Sequence, residues 1–197
     1  MPRPAASGSH PDWNRLNELA SGQAGYFTAK DASEVGFSLP LLQHHLDAGR
    51  LERSRRGVFR LVSFPATEEE GFVPAWLWSR REGTFSHDTA LQIHQLSDAL
   101  PSKLHVTVPT HWKKRRIRVP RDIVLYYDDL ADDDREWRGP IQVTTPLRTV
   151  VDCSVDAVAT DLVEQAIRQG VRRRMFTRQS LKQSMRRREI NDNRGAA

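Results

Sequence analysis

Between Thr28 and Val62 the apolar period of the chain changes from helical to two, and this change restricts the fold more than any other feature. Thr28 suits the N-cap of a short helix, Ala29 to Val35, closed by Gly36. Ser38 can cap the next, with Pro40 in a first turn that needs no N–H, and Leu39, Leu42 and Leu46 then share one face until Gly49. Upstream, Trp13, Leu16, Leu19 and Ala20 fall at helical spacing behind Pro11 and Asp12, with Gly22 and Gly25 able to stop that helix. From Leu51 the pattern alternates through Leu51-Glu52-Arg53-Ser54, a turn at Arg55-Arg56-Gly57, and Val58-Phe59-Arg60-Leu61-Val62, which predicts a β-hairpin. Three short helices and a hairpin with a basic tip outline a winged helix-turn-helix, whose third helix enters the major groove while the wing lies on the backbone.

The remaining chain is read as a second domain. Residues 1–10 have no periodicity and are expected to be a disordered leader; 11–64 form the winged helix; 65–71, with three consecutive glutamates, form a linker. Residues 72–189 form a larger mixed domain and 190–197 a disordered tail. Within 72–189 the spacing predicts helices over 86–96, 146–153 and 157–169, the last ended by Gly170, and a final helix capped by Thr177 with Leu181 and Met185 inward. Strands are expected over 103–108, 116–119, 123–127 and 141–144. The expected class is α+β: an N-terminal winged helix-turn-helix followed by a larger mixed α+β domain.

No run of eighteen apolar residues exists, Phe72–Trp78 is too short to span a bilayer, and residues 1–20 lack an apolar signal core, so a cytoplasmic protein is expected. Cys153 is the one cysteine, which excludes an internal disulfide and a cysteine-rich zinc site. The net charge of +5 conceals opposed blocks: +2 over 1–64, -3 over 65–112, six basic residues and no acidic one over 113–121, -8 over 122–167 and +8 over 168–197.

If the third helix reads DNA, Ser38 lies at its start, and the face opposite Leu39, Leu42 and Leu46 presents Pro40, Leu41 and His44, flanked by Gln43 and His45. Gln can pair with adenine edges and an apolar side chain can touch a thymine methyl, but no Arg on this helix stands ready for guanine. Arg53, Arg55, Arg56 and Arg60 alternate through the hairpin and are expected to project mostly to one side, towards phosphates. A candidate additional nucleic-acid or partner surface comprises Lys113, Lys114, Arg115 and Arg116, expected on a strand or hairpin edge beside Trp112, and the tail residues Arg172, Arg173, Arg174, Arg178, Lys182 and Arg186. A charged strand edge that deters pairing is the plain alternative for the first group. No cofactor, metal site or catalytic group is expected: Walker and GxSxG motifs are absent, Ser86 reads as an N-cap before His87, Asp132-Asp133-Asp134 as a solvated turn, Arg148 with Asp152 as a helical ion pair, and Cys153 as a buried small residue.

Gly25-Tyr26-Phe27-Thr28-Ala29-Lys30-Asp31-Ala32 and the run Leu46–Leu61 resemble the winged helix of the AbiEi antitoxins of type IV toxin–antitoxin systems. Ser86-His87-Asp88-Thr89-Ala90-Leu91, Leu96-Ser97-Asp98, His105-Val106-Thr107-Val108-Pro109 and Thr144–Asp152 are similar to that family's second domain. The resemblance implies a non-enzymatic autorepressor that binds inverted repeats of its own operon as double-stranded DNA, two copies per operator, and counters a nucleotidyltransferase-type toxin, which it need not contact. The alternative reading is a winged-helix transcriptional regulator with a ligand-sensing second domain and no toxin partner.

Overall fold

The structure, a computed structural model, describes residues 10–156 and 158–195. The expected leader therefore lies almost wholly outside the described residues. The chain divides into two compact units, Met1–Arg81 and Glu82–Ala197.

In the first unit, local caps set the helices. The Asp12 carboxylate accepts from the Arg15 amide at 3.0 Å and starts α1, Trp13–Ser21. Thr28 and Asp31 form a capping box around α2, Ala29–Glu34: Thr28 Oγ1 accepts from the Asp31 amide at 3.1 Å and Asp31 Oδ2 from the Thr28 amide at 2.8 Å. Ser38 caps α3, Leu39–Asp47. A strand that the sequence pattern does not announce, β1 at Tyr26–Thr28, pairs antiparallel with β3, Val58–Leu61, which in turn pairs with β2, Leu51–Arg55, giving the order β1-β3-β2. Phe27, Leu51, Phe59 and Leu61 face α1–α3 in a core with Leu16, Ala20, Ala32, Phe37 and Leu42.

The sequence places the domain boundary at 65–71; the division falls after Arg81. The reason is α4, Val73–Trp78, which packs against all three strands of this sheet. None of its residues joins the α1–α3 core, so it covers the opposite face, that of Tyr26, Val58 and Arg60. Arg81 secures the end of this unit, donating to Asp31 Oδ2 at 2.6 Å and to Gln23 Oε1 at 2.7 Å.

The second unit is a five-stranded mixed sheet, β6-β5-β4-β8-β7, built from β4 Thr84–Phe85, β5 Leu104–Val108, β6 Ile123–Tyr127, β7 Arg135–Arg138 and β8 Ile141–Thr144. Its helices are α5 His87–Ile93, α6 Pro146–Val155, α7 Thr160–Arg172 and α8 Arg178–Gly195. Leu91, Leu96, Val150, Val151, Ala166, Phe176 and Leu181 join these helices in one core.

Four expectations are corrected. Residues 116–119 form no strand: a 3-10 turn, Thr110–Lys114, buries Trp112, and the chain beyond it joins no ladder. The third helix of this unit begins at Thr160 rather than 157, and Gly170 does not end it, since α7 continues to Arg172. Gly170 is instead a packing site, where an added Cβ would lie 2.2 Å from Phe176 Cε1. The expected disordered tail is helical through Gly195, within α8; its last two residues lie outside the described ones.

Candidate nucleic-acid interface

α3 is nine residues long and presents Leu39, Pro40, Gln43 and His44 to solvent, with Ser38 exposed at its start. Leu41 is half-buried. The helical turn decides which residues face inward: at about 100° per residue, Leu42 and His45 share an arc that excludes Leu39. Two assignments change accordingly. Leu39, expected inward, is 67% exposed, and His45, expected beside DNA, is 5% exposed. The His45 ring stands edge-on to Trp13 at 4.7 Å, and burial, with Arg50 and His44 nearby, pushes its pKa down. His45 is a core residue and cannot meet a base edge.

The hairpin turns at Arg56-Gly57, where Gly57 takes φ +76°, a left-handed conformation open to glycine. Its arginines do not share a side. Arg53 pairs with Phe59, but Arg55 pairs with Val58, so Ser54 is an extra residue and β2 bulges there. Because Phe59 and Val58 face opposite ways, Arg53 leaves the sheet on the helix side and Arg55 on the other. Arg56 is exposed at the turn. Arg60 is no candidate for a phosphate: its side chain is 14% exposed, donates to the Phe64 carbonyl at 2.9 Å, lies over the Tyr26 ring, and meets Glu70 at 3.5 Å and Glu52 at 3.9 Å.

Arg53 Nη2 donates to Gln43 Oε1 at 3.2 Å, and Gln43 Nε2 donates to Asp47 Oδ1 at 2.8 Å. The hairpin and α3 are thus joined by a hydrogen-bonded chain at the surface. Asp47 has no place in the sequence-based site, although its i+4 spacing from Gln43 is a signal that could have found it.

In the second unit, Lys113, Lys114 and Arg116 are exposed around the 3-10 turn, whereas Arg115 stacks on Trp112 at 4.3 Å and pairs with Glu82 at 3.2 Å. Arg173 is likewise engaged, donating to the His94 carbonyl at 2.7 Å and the Gln95 carbonyl at 3.0 Å, where it satisfies the open end of α5. Arg172 donates to Gln169 at 2.6 Å but stays exposed, as do Arg174, Arg178, Lys182 and Arg186.

The motif residues of this unit serve its interior. Arg148 donates to Asp152 and Asp134 at 2.8 Å each and to Asp128 at 2.5 Å, and Arg188 of α8 meets the same Asp128 oxygen. Burial opposes the Asp128 charge, yet the two guanidinium groups outweigh it and hold its pKa below the usual carboxylate range. Ser86 makes no capping bond; its Oγ accepts from Thr107 Oγ1 at 2.8 Å and lies 2.9 Å from His87 Nδ1, so its proton points to that nitrogen. His87 Nε2 then donates to Asp156 Oδ2 at 2.7 Å, the ring stacks on Tyr126 at 3.6 Å, and the backbone of His87 takes φ +48°. Ser86 has no exposed surface. Burial also pushes the Cys153 thiol up. Among the described residues no group of three or more His, Cys, Asp or Glu could hold a metal ion, and no helix is long and apolar enough to cross a membrane.

The crystal structure of the RV2827C protein from Mycobacterium tuberculosis is similar to this chain, with a TM-score of 0.55 at 12% identity, over 90% of this chain and 73% of that one. The likeness is one of fold. No curated protein matches the chain. Residues 14–62 match the sequence model of a family described as a transcriptional regulator, the AbiEi antitoxin. That span begins one residue into α1 and ends one residue after β3, so it takes in the capped helices, the exposed face of α3 and the arginine hairpin. By this segment, about a quarter of its length, the chain is similar to the AbiEi antitoxin transcriptional regulators.

Proposed function

We propose that this protein is the antitoxin and autorepressor of a type IV toxin–antitoxin operon: α3 enters the major groove of inverted repeats, the Arg56 turn rests on the backbone, and the second unit counters a nucleotidyltransferase-type toxin. One observation carries the reading. Within the family-matched segment, α3 turns Pro40, Gln43 and His44 outward while the hairpin beside it presents Arg53 and Arg56. The chemistry of these groups is recognition of base edges and phosphates, and the proposal contains no catalytic step. Two copies per operator, a cytoplasmic setting and neutralisation without toxin contact belong to the same reading.

The test is a footprint of the promoter upstream of the gene with the full chain. Protection of an inverted repeat is expected, and replacing Arg55 and Arg56 by Ala should weaken binding to all duplexes alike and flatten its salt dependence. Unchanged affinity and slope would remove the wing from the interface. Co-expression with the neighbouring toxin should restore growth, also for a chain with Gln43, His44 and Arg56 replaced by Ala. Loss of rescue in that variant would tie neutralisation to DNA binding.

A second reading, a regulator that senses a small ligand, is favoured by a cavity of about 340 Å³ in the second unit lined by Thr145, Leu147, Arg148, Val151, Ser184 and Arg188. A growth assay without any toxin gene nearby would separate the two.

A further inference from the structure

We infer that Arg53, on the hairpin rather than on the third helix, is a guanine-reading residue, held in place by Gln43 and Asp47. The inference rests on the docking proposed above and names a specificity determinant within it. The bulge at Ser54 puts Arg53 on the same face as Phe59, and its guanidinium carbon sits 5.7 Å from the centre of that ring. From there Nη2 reaches Gln43, in the middle turn of α3, and Gln43 is itself fixed by Asp47. One donor and one acceptor site of the Gln43 amide are engaged, which orients the side chain, so Gln43 acts as a positioning residue for Arg53.

Arg53 differs from its neighbour Arg60 in what it pairs with. Arg60 has Glu52 and Glu70; Arg53 meets a neutral amide, and among the described residues no carboxylate pairs with it. Its other donors are therefore left for a ligand at the solvent face of the recognition helix. A guanidinium fork there matches the O6 and N7 acceptors of guanine, the one base-edge contact for which α3 itself has no arginine. A phosphate contact would instead be expected at the turn, three residues on, where Arg56 is exposed.

The experiment selects bound sequences from a randomised duplex library with the full chain, then repeats the selection with Arg53→Ala, Arg53→Lys and Gln43→Ala. The wild type should select at least one G·C pair per half-site. Arg53→Ala and Arg53→Lys should both lose that preference by about tenfold or more while keeping the rest of the consensus, and Arg53→Lys should keep the wild-type salt slope. Gln43→Ala should weaken the same preference to a lesser degree. A consensus unchanged in Arg53→Ala, or a uniform loss on all duplexes that Arg53→Lys restores, would overturn the role of Arg53 alone and assign it to phosphate or to solvent. A wild-type chain that binds no duplex would overturn the proposed function and this inference with it. Arg53 is exposed, and matched thermal midpoints of the variants identify any loss caused by folding.

Discussion

His45 shows how one side chain links the fold of the first unit to acidity. Its ring lies against Trp13 and Phe37 with 5% exposure, and its pKa lies below the ordinary 6.5. The unfolded chain therefore binds a proton that the folded chain resists, so the stability due to neutral His45 is present above 6.5 and is lost as pH falls from there through the folded value. Urea unfolding at pH 7.5 and 5.5 should show a larger loss for the wild type than for His45→Leu; equal losses would mean that the ring takes up its proton in place. Sequence could not assign this residue, because the helical period fits the face of Leu39, Leu42 and Leu46 as well as the arc through Leu42 and His45, and the packing of Trp13 and Phe37 on the latter is a tertiary fact. Ser38, Pro40, Gln43 and His44, by contrast, needed only the cap at Ser38 and the helical period.

Elements were readable where their determinants are local. The caps at Asp12, Thr28 and Ser38 and the turn at Gly57 lie within a few residues of what they fix, and the first unit follows from them. The short strands β1 and β4 were not, since each exists only by pairing with a distant partner, as Phe85 does with Val143, and the edge strand β7, although paired with its neighbour β8, lacks an apolar alternation. In the second unit two contacts between elements make firm predictions. Arg148 ties the end of β6, the Asp134 turn and α6 together through three carboxylates, of which Asp152 is 3% exposed. Removing one side of such a buried network leaves its charges uncompensated, so Arg148→Met should cost about 3 kcal/mol or more in denaturant unfolding of the full chain. Gly170→Ala would ordinarily favour a helix by about 1 kcal/mol, but the added Cβ would lie 2.2 Å from the buried Phe176 ring, and overpacking should leave a net loss of about 1–2 kcal/mol. Gly170→Ala with Phe176→Leu should recover part of it.

At the scale of the whole molecule the charge has a different distribution from the one that net values suggest. The first unit holds ten Lys and Arg against nine Asp and Glu, and Arg60 and Arg81 are spent internally. Part of the acidic block of the second unit is also engaged, with Asp128, Asp134 and Asp152 bound to Arg148 and Asp128 to Arg188 as well. The exposed basic residues Arg178, Lys182 and Arg186 of α8 are then expected to add to DNA affinity. Replacing all three by Ala should lower affinity for specific and random duplexes equally and reduce the slope of log K against log salt by about one per lost phosphate contact; an unchanged slope would leave these residues to solvent. The bulge at Ser54 carries a consequence for lineages as well. Which face Arg53 occupies depends on counting residues from Leu51, so a single-codon deletion or insertion between Leu51 and Arg53 would carry this arginine to the other face, whereas the bulge at Ser54 could absorb a change beyond it. Two descendants with identical third helices could then diverge in the operators they recognise through an indel alone, without a point mutation at any base-contacting position.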